Sequence, residues 1–234
     1  MMRRAARWLQ GLMRPRPIAE IETPAERAPM TLRVPDETDR RLFADENHLF
    51  GEPFLMGTDR RGRTWCIAVS AIDKRPNPRL HTLLTLFLYP VRRTEPEKSI
   101  FTPRLEAAYV LASAPEYGFI VDQGPAVYIG DLVVYRPTED DDAQHSYSES
   151  VGLGSLLLDA VVIWATQHGA LEVTGVLSKS DASSAERSTR LQDFFRRHGF
   201  HVTLYDDPSG DTIGRVVWRP QDKNDEPAAT PRPD

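Results

Sequence analysis

SESVGLGSLLLDAVVIWATQHG, residues 148–169, sets two glycines one residue apart ahead of about four turns of mostly apolar chain. From Gly154 onward Leu157, Val161, Trp164 and Ala165 make an apolar stripe at helical spacing, broadened by Leu158 and Val162. His168-Gly169 is the kind of signal at which a helix stops. A helix start leaves several N–H groups unpaired and carries a partial positive charge. Glycines there let an anion approach the backbone with no Cβ in the way. Gly152-Leu153-Gly154-Ser155 therefore reads either as a phosphate cradle or as a flexible cap on a core helix. Ser155 has the same two readings, a donor to phosphate or a helix cap.

The pattern on either side is mixed α/β. Downstream, residues 171–178 alternate small apolar residues as a strand does, and 186–200 read as a second helix. That helix turns Leu191, Phe194 and Phe195 inward and closes at Gly199. Residues 201–205 and 214–219 are two final strands joined by the turn sequence at 206–210. Upstream, residues 126–135 are the best strand in the chain. Residues 64–71, 105–112 and 117–122 carry further strand signals, with Pro115 as a turn marker. Residues 80–89 are apolar between prolines and fit a buried strand or a short helix equally well. Residues 37–50 have helical spacing, with Thr38 as N-cap.

Bulk properties set outer bounds. The chain has 234 residues, 40% hydrophobic and 27% charged, which is ordinary globular composition. A net charge of −5 argues against bulk nucleic-acid binding. Cys66 is the single cysteine, so no internal disulfide forms, thiolate-rich zinc sites are excluded, and a cytoplasmic setting is expected. Its apolar strand argues against a nucleophilic role. No metal site is expected: the six histidines show no metal-binding spacing, and His198 and His201 read as surface residues.

Residues 1–16 hold five arginines and no acid, with Ala5, Trp8, Leu9 and Leu12 at helical spacing. They read as a solvated tail or as a basic amphipathic helix that contacts a membrane surface or a protein. With the Pro- and Glu-rich stretch that follows, residues 1–30 form an arm and linker. Residues 31–219 are then one domain and 220–234 a disordered tail. Oligomeric state is not legible.

The order AlaValTyrIleGlyAspLeuValVal (126–134), GlyLeuGlySerLeuLeuLeuAspAla (152–160), LeuGluVal (171–173) and PhePheArgArgHisGlyPhe (194–200) resembles the GNAT acetyltransferases over residues 126–218. The resemblance implies a mixed, mostly antiparallel central sheet flanked by helices. It implies acetyl-CoA as cofactor, its pantetheine arm along Leu132, Val133 and Val134 and its diphosphate on the loop from Glu149 to Gly154 and Ser155. The cofactor would lie where the strand ending near Val134 parts from the strand starting near Leu171.

The sequence departs from the family pattern in several places. Glu149 stands where the family usually has Arg or Gln, and the 17 residues between Val134 and Gly152 include the acidic run 139–142. Acids close to a diphosphate would weaken its binding, whereas a solvated loop swings clear of it. The family's proton-donating tyrosine falls at Phe195, which has no proton to give, and Ser188 replaces a frequent asparagine.

Amine acylation needs the two substrates in line, a base, and a proton donor. Asp131 is the candidate base, and Tyr147 and Tyr205 are the candidate phenolic donors. Each also has a plainer reading, a solvent-facing strand carboxylate or a packing tyrosine. The chain is thus expected to be an acyl-CoA-dependent N-acyltransferase acting on a small-molecule or protein amine. The alternative is a GNAT-like binding or regulatory module without catalysis.

Overall fold

The computed structural model describes residues 30–46, 51–73, 80–91, 102–134, 152–180, 182, 184–205 and 210–220. In chain order these form β1 (Thr31–Arg33), α1 (Glu37–Glu46), β2 (Glu52–Thr58), β3 (Thr64–Asp73), β4 (Leu80–Pro90), β5 (Arg104–Val110), β6 (Ala126–Val133), α2 (Leu153–Gln167), β7 (Glu172–Ser178), α3 (Ala185–Arg197), β8 (His201–Leu204) and β9 (Thr212–Trp218). All nine strands belong to one sheet in the order β1-β2-β3-β4-β5-β6-β7-β9-β8. Every pairing is antiparallel except β6–β7, which is parallel. A parallel pair needs a crossover, and α2 supplies it.

Alternation along the strands sorts side chains onto two faces. Trp65, Ile67, Leu84, Leu86, Leu88, Leu105, Ala107, Val127, Ile129, Val173 and Val216 share one core with Leu156, Leu157, Leu158, Val161 and Trp164 of α2. Phe195 and Phe200 bring α3 and the chain after it onto the same core. α2 is apolar nearly all round because the sheet lies on one side of it and Phe195 joins from α3. Gly57 keeps the sheet close to this helix, since a Cβ there would lie 3.1 Å from Leu156 Cδ2.

The opposite face carries two smaller apolar clusters, Met56-Cys66-Ala68-Tyr89 and Ala108-Val110-Val121-Ala126. Burial and the nearby Asp39 carboxylate of α1 push the Cys66 thiol up to about 12, so it stays protonated and inert. Among the described residues no helix is long and apolar enough to cross a membrane.

One open alternative is resolved and two sequence expectations change. Residues 80–89 are a strand, because β3 and β5 pair along both of its edges and Leu84, Leu86 and Leu88 then point to one core. Residues 117–122 are not a strand; a 3-10 turn at Pro115–Tyr117 is closed by a single Ala114–Phe119 bridge. Asp36, not Thr38, caps α1: its carboxylate accepts from Asp39 N–H at 2.9 Å while Asp39 accepts from Asp36 N–H at 2.9 Å. β1 and β2 lack a strong local signal, since β1 has three residues and β2 contains Pro53 and Gly57.

At the start of β7, Glu172 is fully buried on the face away from α2. It accepts from Asp122 N–H at 2.7 Å, from Arg219 at 2.9 Å and from Arg215 at 3.4 Å. Arg215 also reaches Asp122 Oδ1, the Ile120 carbonyl and Thr174 Oγ1. Hydrogen bonds from Arg215 outweigh the effect of burial and, with those from Arg219, hold the Asp122 carboxyl below its usual range. A buried ion network of this kind is costly to break from one side. Arg215→Met is expected to lower unfolding free energy by about 3 kcal/mol in urea titrations, and Glu172→Gln added to it should restore part of that loss.

Candidate functional site

The parallel seam between β6 and β7 opens at one end. Its paired positions run Ala126–Glu172, Val127–Val173, Tyr128–Thr174 and Ile129–Gly175, and stop there. Both strands continue, β6 to Val133 and β7 to Ser178. The cause lies on the other edge of β6. Glu106 pairs with Asp131 and Ala107 with Ile129, so Gly130 is an extra residue, a β-bulge. A bulge bends its strand, and here it carries β6 along β5 and away from β7. Leu132 and Val133 keep their pairing to Leu105 and Arg104, and their β7-facing edge meets no β7 partner.

The head of α2 stands beside this opening. Gly152 caps the helix with φ 87°, and among the described residues no side chain caps it. The first helical bond runs from Leu156 N–H to the Gly152 carbonyl at 3.1 Å. The N–H groups of Leu153, Gly154 and Ser155 therefore point out of the helix end. The two glycines differ in kind. A Cβ on Gly152 would lie 2.4 Å from Met30 Sδ and 3.6 Å from Arg60 Nε, in a backbone conformation that side chains resist. A Cβ on Gly154 would make only ordinary contacts, 3.6 Å to the Phe194 ring and 3.7 Å to Val134.

Arg60 arrives from the turn between β2 and β3, a segment far away in sequence. That turn is built on Asp59, whose carboxylate is fully buried. It accepts from Arg61 N–H at 2.9 Å, Arg63 N–H at 3.0 Å, Arg63 Nε at 2.8 Å and Trp65 Nε1 at 3.0 Å. Burial alone would raise this carboxyl; the hydrogen bonds from Trp65, Arg63 and Arg61 outweigh it and hold the group below its usual range. The basic turn is thereby held against the head of α2.

Asp131 is exposed on the face away from α2, as the alternation from Leu132 requires. Its register neighbour is Glu106, also exposed, which accepts from Arg104 Nε at 2.7 Å. Two carboxylates thus flank the bulge. Tyr205 follows β8 at the same end of the sheet, with β9 between it and β7, and is exposed. Tyr147, Glu149 and the acidic run 139–142 lie outside the described residues. Phe195 is buried against Phe194 and Phe200, so the ring that lies beside Gly154 is that of Phe194. Ser188 is half-buried on α3 and accepts from Gln192.

His201 is exposed, as expected. His198 is not a surface residue: its side chain is 12% exposed. It is held between Ser155 and Asp159 of α2 because the chain after α3 turns back against that helix. Arg60, Glu106 and His198 carry no mark in the sequence, because each reaches the site through sheet order or helix packing. Gly130 did carry one, as a glycine inside a strand pattern. Among the described residues no group of three or more His, Cys, Asp or Glu is placed to hold a metal ion. No protein-family model matches the chain, and no curated protein matches it.

Two measurements test this construction. Gly152→Ala should cost about 2 kcal/mol or more of stability through its positive φ and the Met30 contact. Gly154→Ala should be neutral or gain up to about 1 kcal/mol, as for a helical glycine, in the same thermal unfolding series. For Asp59, a folded carboxyl held low stabilises the protein above the unfolded value of about 3.9 and loses that contribution as pH falls through the folded value. Asp59→Asn should therefore be about 2 kcal/mol less stable at neutral pH. Its stability should also fall less steeply than that of the wild type below about pH 4.

Proposed function

We propose that the protein is an acyl-CoA-dependent N-acyltransferase of the GNAT type, acting on an amine. The observation that carries the proposal is the parting of β6 and β7 after Ile129 and Gly175, next to a helix head with a glycine turn and no side-chain cap. The edge at Leu132, Val133 and the following Val134, which pairs with no strand among the described residues on the β7 side, suits an amide-bearing pantetheine arm, which needs backbone partners and apolar flanks. The N–H groups of Leu153, Gly154 and Ser155 suit a diphosphate, and Gly154 leaves backbone open to close approach. Arg60 offers positive charge at that turn. When bound, acyl-CoA would supply an activated acyl thioester.

What remains for the protein is orientation and proton handling. Asp131 and Glu106, paired across the bulge, are the described carboxylates nearest in register to the opening, and either is suited to take a proton from an incoming ammonium. Tyr147 and Tyr205 are the phenolic candidates for returning a proton to the leaving thiolate, and Phe194 and Phe195 offer none. The lack of a proton at those two positions favours a second reading, a module of the same shape that binds acyl-CoA or a partner without turnover.

Calorimetric titration with acetyl-CoA, with CoA as control, tests the first reading. Micromolar binding is expected, and Gly154→Ala should weaken it at least about tenfold while leaving stability intact, since a methyl would occupy the approach to the helix head. Absence of binding up to millimolar acetyl-CoA would reject the acyl-CoA reading. Binding without turnover of any amine in an acceptor screen would favour the second.

A further inference from the structure

We propose that phosphate recognition at the head of α2 is proton-linked through a relay of Asp159, His198 and Ser155, an inference that rests on the acyl-CoA reading above. The three residues form one hydrogen-bonded chain. His198 Nδ1 lies 2.6 Å from Asp159 Oδ1, and His198 Nε2 lies 3.0 Å from Ser155 Oγ. Ser155 and Asp159 are one turn apart on α2, and His198 follows the last turn of α3, so the imidazole stands along α2 and reaches both. Ser155 is 5% exposed and the His198 side chain 12%, so bulk water screens the chain poorly.

The chemistry of the partners sets the direction of each bond. An ionised carboxylate only accepts, so Nδ1 carries a proton toward Asp159. With a neutral ring, Nε2 has a lone pair and accepts a hydrogen bond from the Ser155 hydroxyl. Ser155 then has nothing to donate at the helix head. With a protonated ring, Nε2–H donates to Ser155 Oγ, and the serine proton is released. Helical side chains lean toward their N-terminus, the end at which the N–H groups of Leu153 and Gly154 point outward. Protonating His198 thus changes two things in favour of a phosphate: it adds a positive charge and frees one hydroxyl donor.

Among the described residues, Asp159 is the charged group on a packed neighbouring element within hydrogen-bond reach of the ring. On its own helix, Arg197 turns back to the Asp193 carbonyl, and Arg196 engages Asp193 and Gln192. Reciprocity then requires that a bound phosphate draw a proton onto His198.

The test is a histidine NMR titration of the full chain between pH 5 and 8, with and without saturating CoA, the His198 signal assigned by its loss in His198→Gln. Bound CoA is expected to raise the proton affinity of the His198 ring by about tenfold, and Ser155→Ala and Asp159→Asn should each remove most of that gain. CoA that binds while the His198 titration stays unmoved would overturn the coupling and leave the relay as a clamp between α2 and α3. Full coupling in Ser155→Ala would overturn it too, because the hydroxyl is the proposed route. Ser155→Ala keeps the His198–Asp159 pair, so it serves even if His198→Gln fails to fold. Failure of CoA to bind at every pH, up to millimolar, would reject the acyl-CoA reading itself, and the coupling with it.

Discussion

One extra residue in β6 shapes the whole C-terminal half. Up to Ile129 the strand is shared between two partners, antiparallel to β5 and parallel to β7. At Gly130 it must choose, because the bulge re-aims the backbone and only the β5 pairing survives. Everything proposed for the site follows from that choice: an open strand edge at Leu132 and Val133, the end of α2 beside it, and the carboxylates of Asp131 and Glu106 across the bulge. Glycine at 130 suits the bend, and Gly175 opposite Ile129 keeps the last shared pair close, since a Cβ there would lie 3.3 Å from the Ile129 carbonyl oxygen.

The other end of the same seam is held by different physics. Glu172, Arg215, Arg219, Asp122 and Thr174 tie β7, β9 and the segment before β6 together on the face away from α2. The Glu172 charge, fully out of water, stays only because it is partnered, so the network resists sliding of β7 against its neighbours. The seam is thus clamped where it starts and free where it ends. On the opposite face, the leucines of α2 press on β4 to β7 and fix the helix head relative to the opening. A cleft between two parallel strands is a place where ligands recur in α/β folds.

Much of this was readable from local pattern. The long helix at 153–167, the strands on either side of it, α3 and the final hairpin all follow from apolar periodicity and turn residues, which depend on near neighbours. The glycine turn was readable for the same reason. Residues 80–89 were ambiguous because a leucine-rich run fits two periods, and pairing with β3 and β5 settled it. The 117–122 stretch misled in the other direction: its β-formers pack Phe119 and Val121 into a loop without a strand partner beyond Ala114.

Residue types and spacing alone established an α/β chain in which Gly152 and Gly154 open an apolar helix, and in which Cys66 sits in a strand core. Those features are set by interactions within a turn or two of chain. Pairing and packing decided the rest. Gly152 resists a side chain through its φ of 87°, and Met30, more than a hundred residues earlier, lies where its Cβ would go. Glu106 neighbours Asp131 through the register of β5 on β6. His198, which local pattern places at the surface, is part-buried because α3 delivers it to Ser155 and Asp159. Such contacts cost chain entropy that the whole core must offset, so no window of sequence contains them.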